Sequence, residues 1–377
     1  MRGKVVIKQQ GYLFDDLIFQ EILTRLPVTS IIRFKSVSKQ WYSTLSSSDF
    51  AKAHLIKSPY SHPSAPVNTL FIQCSNNRYL FTYNDDDDDH ISDYTDNLLK
   101  LDADFWDEKK NELFFTGCCN GLICLTPVHK KYFIIWNPAT RKMHKYASDG
   151  YLLRAHVVCG FGYVSSVDDY KYVRVSIVHV GWQKSNYIVH VFSLKENKGR
   201  KINFDFDPDA DITLYDPPVL INETLYWRAH HSQYNLVIVS FDLGVETFDI
   251  IKGWTYLGVM GGCLSKCGDC NGSNIGDMTM RIFESTGTVK SIDLPKGLIS
   301  TGDSQTIGFT RTGKFFVTGP FEGEIWHVVR KTLGIVDTSS KPAQYKRLLK
   351  FDERINIARY VPSLVSPFPT EELSRLS

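Results

Sequence analysis

After residue 67 one local unit recurs along the chain: a short β-rich run, a tight polar turn, then a partner strand. The run 132–136 turns at Asn137-Pro138-Ala139-Thr140, and 188–194 turns through 195–199. Further on, 237–241 turns at Asp242-Leu243-Gly244, 278–283 at Ser285-Thr286-Gly287, and 333–336 at Thr338-Ser339-Ser340. These turns begin 58, 47, 43 and 53 residues apart, near the ~40–50 residues of a four-stranded propeller blade. Each unit follows another strand-like stretch, at 121–125, 158–163, 219–227, 256–260, and 306–309 with 314–317. Left over are 69–73 and 78–83 at the front and 359–365 at the back. A ring whose ends stay apart exposes two sheet edges. The pattern therefore predicts a propeller of about six blades, closed by pairing of its first and last strands. Spacing alone leaves five or seven blades, or an open β-sandwich, as alternatives.

Ahead of the ring the texture is helical. Asp15 and Asp16 place negative charge where a first helix begins, and Pro27 forces the residue before it out of helical geometry. A second helix fits 29–35, with Thr29 as its cap. Ser36 can cap a third, whose stripe Val37, Trp41, Leu45 keeps a four-residue period. A fourth fits 49–57 behind Ser48. At about 100° per residue, Phe14, Ile18, Phe19, Ile22, Leu23 and Leu26 sweep half the first helix, with Leu13 and Leu17 outside that arc. One neighbouring helix needs a narrower stripe. Either a second polypeptide covers the excess, or the unit packs on the rest of its own chain. Periodicity does not choose between these.

Length and composition set the frame. A chain of 377 residues with 43% hydrophobic and 22% charged residues has room for two globular domains. A net charge of +2 supplies no basic field for nucleic acid. Residues 1–10 hold only Val5-Val6-Ile7 between Arg2, Lys4 and Lys8, too little for a signal-peptide core, and no run approaches a membrane span. Eight cysteines without a secretory signal read as reduced thiols of the cytoplasm or nucleus. Pro59, Pro63 and Pro66 defeat both helix and sheet, so 58–67 is a linker. The layout is an α+β multidomain chain: a tail at 1–10, a helical unit at 11–57, the linker at 58–67, and a mainly-β propeller at 68–377.

Residues 12–50 resemble the F-box, the adaptor-binding module of Skp–cullin–F-box ubiquitin ligases. The resemblance rests on Leu13, Asp15-Asp16-Leu17-Ile18, Glu21-Ile22-Leu23, Arg25-Leu26-Pro27, Arg33-Phe34-Lys35 and Val37-Ser38-Lys39-Gln40-Trp41. Where that family usually has Leu-Pro, this chain has Leu13-Phe14. The ring resembles the kelch-like F-box-associated domain of plant F-box proteins. The matching stretches are Cys119-Asn120-Gly121-Leu122-Ile123-Cys124, Trp136-Asn137-Pro138-Ala139-Thr140-Arg141, Phe161-Gly162-Tyr163 with Asp169-Tyr170-Lys171, and Tyr360-Val361-Pro362-Ser363-Leu364-Val365.

The resemblance implies a substrate-recognition subunit. A Skp-type adaptor, and through it a cullin–RING ligase, would be one partner and an unidentified target protein the other. Neither nucleic acid nor membrane is expected as a partner. The expected adaptor contacts are Leu13, Phe14, Leu17, Ile18, Ile22, Leu26, Pro27, Val28, Ile31, Phe34, Val37 and Trp41. For the target, the candidates are Trp182, Trp254 and Trp326, with Trp227, Arg228, His230 and His231 at an expected strand end, since Trp and Arg dominate binding hot spots; the alternatives are tryptophans buried between blades and histidines half-exposed in an ordinary turn.

Signals for catalysis are sparse. Cys263-x3-Cys267-x2-Cys270 has knuckle-like spacing but no fourth ligand nearby. Asp85 to Asp89 lack the alternate ligands and central glycine of a calcium loop and read as a solvated, disordered loop. Asp205, Asp207, Asp209 and Asp211 alternate, yet Ile212 stands where such a loop needs glycine. Gly160-Phe161-Gly162 lacks the third glycine of a nucleotide loop. No enzyme, no metal and no cofactor is expected. The alternative from another class is a propeller lectin or hydrolase with a helical appendage, since the fold hosts both.

Overall fold

The computed structural model describes residues 17–59, 61–62, 64–74, 77–87, 94–101, 112–127, 131–148, 155–179, 185–202, 211–252, 258–267, 279–283, 288–293, 305–319, 331–339, 343–351, 353 and 355–368. Six four-stranded antiparallel sheets follow one another around a ring. Blade 2 runs Leu113–Cys119, Leu122–Pro127, Tyr132–Asn137, Lys142–Ala147, and blade 3 runs His156–Val164, Asp169–His179, Ser185–Ser193, Lys198–Ile202. Blade 4 is Ile212–Ile221, Thr224–His231, Asn235–Asp242, Phe248–Lys252. Blade 5, the shortest, is Gly258–Met260, Cys263–Cys267, Thr279–Phe283, Val289–Asp293. Blade 6 is Gln305–Phe309, Phe315–Gly319, Lys331–Asp337, Gln344–Phe351. The turns read from sequence all fall between third and fourth strands; 285–287, and Ser340 of the last turn, lie outside the described residues, between strands that do pair.

Blade 1 closes the ring. Its strands Thr69–Cys74, Asn77–Thr82 and Leu98–Lys100 come from the N-terminal side, and Ile355–Arg359 from the C-terminal side. Pairing runs antiparallel from Leu70 opposite Arg359 to Cys74 opposite Ile355. Closure therefore occurs as expected, but by 355–359 rather than 359–365. Pro362 has no N–H to give a ladder, and residues 360–366 leave the sheet as an extended strap.

Apolar side chains fill the spaces between blades. Val158, Val175 and Val189 of blade 3 meet Leu214, Trp227 and Phe241 of blade 4 in one buried cluster. This packing explains Gly160 and Gly162. A Cβ on either would lie 2.5 Å from a methyl of Leu225 or Leu243, so these glycines let blade 3 sit close against blade 4.

The helical unit departs from simple periodicity. Ile18–Ile22 form a π-helical turn and Leu23–Arg25 a 3-10 turn, where one regular helix was expected. The wide turn followed by the tight one sends Phe19 and Leu23 inward and leaves Leu17 and Ile22 outside. Helix α1, Val28–Phe34, starts directly after Pro27, so Thr29 lies in its first turn and does not cap it. Helix α2, Lys39–Ser46, is capped by Ser38, whose Oγ accepts from the Trp41 amide at 3.2 Å. Ser36 instead donates back to the Arg33 carbonyl. Helix α3, Ser48–Lys57, is capped by Ser47 rather than Ser48.

Candidate functional site

The helical unit has a core of its own and an apolar surface besides. Phe19, Leu23, Val28, Ile31, Leu45, Phe50 and Ala51 are buried together, and Trp41 packs edge-on against Phe19 and Phe34. Outside stand Leu17, 53% exposed, Ile22 at 55% and Val37 at 58%. Pro27 is also exposed, while Ile18, Leu26, Phe34 and Trp41 are half-buried at the margin. Val28 and Ile31 must be withdrawn from the expected contact set. They are buried in the helical core, whereas Ile32, next to Ile31 and one turn on from Val28, is 37% exposed. Tyr42, next to Trp41, is 60% exposed, and periodicity without neighbours does not separate such outer residues from inner ones. Leu13 and Phe14 lie outside the described residues.

The unit is fastened to the ring by the C-terminal strap. Leu364 enters the helical core, with Ala139 of a blade 2 turn packed alongside. The Asn137 side chain, fully buried, donates to the carbonyls of Ser363 at 3.0 Å and Val365 at 2.8 Å. Ser363 Oγ donates to the Asn120 carbonyl at 2.6 Å, and Tyr146 Oη to that of Pro367 at 2.8 Å. Gly121 has φ +75°, and a Cβ there would meet Ser363 Oγ at 2.5 Å. The motifs around Asn120, Asn137 and Ser363, dispersed in sequence, are thus one clasp. Lys52 of α3 adds an ion pair to Asp168 on blade 3. Partial burial alone would raise the Asp168 carboxyl, but hydrogen bonds from Lys52 and Tyr163 hold it below the usual range.

In antiparallel four-stranded blades, first-to-second and third-to-fourth turns share one end of the ring. Asn120, Asn137 and Asp168 all belong to that end, so the helices sit there. The other end carries second-to-third turns and the connections between blades. His230 is exposed near it, at the close of a second strand, and Arg228 is half-buried. Trp227 and His231 are withdrawn as surface candidates. Trp227 is fully enclosed between blades 3 and 4, and His231 is 1% exposed with its Nδ1 accepting from the Gln233 amide. Trp182, Trp254 and Trp326 lie outside the described residues.

Little in the described residues is arranged for chemistry. No group of three or more His, Cys, Asp or Glu could hold a metal ion among them. Cys270 and the Cys267 side chain lie outside the description. Cys118 and Cys119 are half-buried and Cys124 is buried; burial pushes all three thiols up, Cys119 to about 12. Asp85–Asp87 are ordered, though Asp86 faces solvent as expected. They form a 3-10 turn in which Asp85 accepts from Thr312 and Asp86 pairs with Arg311; Asp88 and Asp89 lie outside the description, as do Asp205, Asp207 and Asp209. No helix among the described residues is long and apolar enough to cross a membrane.

A propeller clasped to a small helical unit that keeps apolar side chains outside is a two-ended binding scaffold. The F-box domain family matches residues 13–52, and the family of F-box associated beta propeller domains matches residues 68–260. The chain belongs to the plant F-box proteins with a C-terminal F-box-associated propeller. It is 27% identical to the F-box/kelch-repeat protein At3g23880 of Arabidopsis thaliana over 71% of this chain and 75% of that protein. It is 26% identical to the F-box protein CPR1 of Arabidopsis thaliana over 77% of this chain and 78% of that protein. Among solved structures, a dipeptidyl peptidase 4 from Porphyromonas gingivalis aligns with 74% of this chain and 44% of its own, at 10% identity and TM-score 0.37. The WD40 domain of SCAP from fission yeast aligns with 78% of this chain and 75% of its own, at 11% identity and TM-score 0.33. Likeness at that level carries no argument about activity.

Proposed function

We propose that this chain is a non-catalytic substrate receptor of a Skp–cullin–F-box ubiquitin ligase. The helices dock a Skp-type adaptor and, through it, the cullin–RING ligase. The ring holds a target protein at its far face, so that the target's lysines meet the charged conjugating enzyme and the target goes on to proteasomal degradation. Tethering replaces a bimolecular encounter with a nearly intramolecular one. This work belongs to the cytoplasm or nucleus.

One observation supports the reading above the others: Leu17, Ile22 and Val37 remain outside a helical unit whose core is already filled, Leu364 included. Exposed apolar side chains grouped on one small unit mark an interaction surface. Ile18, Leu26, Pro27, Phe34, Trp41, Ile32 and Tyr42 extend it. The clasp supports the second half of the reading, because it holds the two ends in a set orientation.

The test is the double substitution Leu17→Asp/Ile22→Asp. Each buried aliphatic anchor contributes roughly 1.5–3 kcal/mol, so adaptor affinity is expected to fall by about two to four orders of magnitude. Thermal unfolding of the chain should hardly move, since neither residue is buried. Capture of adaptor equal to wild type would overturn the proposal.

A further inference from the structure

The helical unit carries its charge unevenly. Residues 17–57 hold six Lys and Arg against two Asp and Glu, although the whole chain is nearly balanced at +2. Three of the six cations are answered: Arg25 and Lys57 by Glu21, and Lys52 by Asp168 of blade 3. Arg33, Lys35 and Lys39 are not. Among the described residues no carboxylate pairs with any of them. They alternate along the chain with Ile32, Phe34 and Val37 of the apolar surface.

The ring adds to this excess. The blade 2 turn that sets Ala139 against the helical core runs on into Arg141 and Lys142. Both are exposed and likewise have no carboxylate partner among the described residues. Lys142 comes near enough to Lys35 for its charge to act there. Burial first, and Lys142 second, push the Lys35 ammonium below its usual pKa. Lys35 is the C-cap of α1, where the helix dipole favours a cation. That accounts for one positive charge and not for a second beside it. Like charges held together repel, and an anion reaching both relieves the repulsion.

We propose that the ring takes part in adaptor docking: Lys35, Arg141 and Lys142 form a cationic ridge at the helix–ring junction that receives an acidic segment of the adaptor. The ridge rests on the adaptor reading above, and adds to it the sign of the partner's charge and a role for blade 2. Apolar contact supplies most of the affinity. The ridge speeds and orients the approach, because charges at the rim of an interface act mainly on encounter.

The test follows binding of the full chain to a recombinant plant Skp-type adaptor at two salt concentrations. Wild type is compared with Lys142→Glu, Lys35→Gln/Lys142→Gln and Leu17→Asp/Ile22→Asp. At about 0.05 M salt, where screening is weak, Lys142→Glu should slow association roughly tenfold. At about 0.5 M salt the difference should shrink to about twofold or less, since screening then acts within a few ångströms. The double glutamine variant should flatten the salt dependence of association and leave dissociation within about twofold of wild type. Should that variant not fold, Lys142→Glu, on an exposed side chain, decides alone. If Lys142→Glu associates as fast as wild type at low salt while Leu17→Asp/Ile22→Asp abolishes binding, the ridge plays no part and the adaptor reading stands. If Leu17→Asp/Ile22→Asp binds like wild type, the adaptor reading falls and the ridge with it. A single-stranded oligonucleotide retained by wild type and lost in Lys142→Glu, with adaptor rates unmoved, would assign the ridge to nucleic acid and overturn the proposal.

Discussion

The helical unit and the ring treat apolar side chains in opposite ways. Between residues 17 and 42, Leu17, Ile22, Ile32, Val37 and Tyr42 all stand exposed. In the ring, Leu99, Phe114, Val167 and Val289 are exposed on four different blades and Tyr215, Tyr234, Leu236 and Val245 on different strands and turns of blade 4, while Trp227, Phe71, Phe133 and Phe315 are enclosed. Scattered exposure is ordinary for a protein surface, whereas grouping on one small unit is not. The contrast also shows two ways of completing a core. Each blade buries its faces against its neighbours, and the helical unit borrows Leu364 from the far end of the chain.

The Leu17→Asp/Ile22→Asp experiment carries the largest expected effect, and it breaks the comparison outright if binding survives. Next is Ile31→Ala. Ile31 is fully buried in the helical core, and removing that much side chain costs about 2–5 kcal/mol. Faster amide exchange over 17–57 with the ring unchanged would show two separable units. Loss of protection in both would show that the clasp makes them one.

Asn137→Ala probes the clasp itself. It deletes two hydrogen bonds to carbonyls of the strap and should cost about 1–3 kcal/mol. Exchange should accelerate across 360–368, and the helical unit should loosen with it because Leu364 withdraws. Unchanged protection of the strap would mean that Leu364 and the Ser363 and Tyr146 hydrogen bonds hold it without Asn137.

A pH titration gives a smaller effect. His54 is buried in α3, its Nε2 donating to the Leu26 carbonyl at 2.8 Å. Burial lowers its pKa, with that hydrogen bond opposing. The folded state therefore binds the proton less readily than the unfolded chain. Stability is intact above the unfolded value of about 6.5 and declines as pH falls below it towards the folded value. His54→Gln should flatten that slope in thermal melts between pH 7.5 and 5.5; an unchanged slope would assign it to other groups. The smallest effect belongs to Val245→Lys, on a ring residue 72% exposed. It should shift stability by less than about 0.5 kcal/mol and leave adaptor binding untouched.

The blades were legible because their signals are local. The turn after Trp136 and the turn after Phe241 carry the Asn, Pro, Asp and Gly chemistry that turns require, and both occur where expected. The helical unit was legible as a unit, but its inner and outer faces were not. Val28 and Ile32 lie four residues apart on α1 and share an apolar character, yet only Val28 is buried. Asp85 and Asp86 read as solvent-seeking charge, and only the approach of Arg311 and Thr312 from blade 6 gives them a fixed place. Trp227 looked like a recognition residue until blade 3 was seen to cover it.

By itself, then, the sequence determined a two-part chain: a short helical unit, a proline-rich linker and a ring of repeating strand units. Turn chemistry and apolar alternation act over a few residues, so they can be read in place. Tertiary structure alone decided which apolar side chains stay outside and how the two parts are joined. Burial depends on neighbours brought from elsewhere, and the Asn137 amide finds its partner carbonyl on Ser363, 226 residues along the chain.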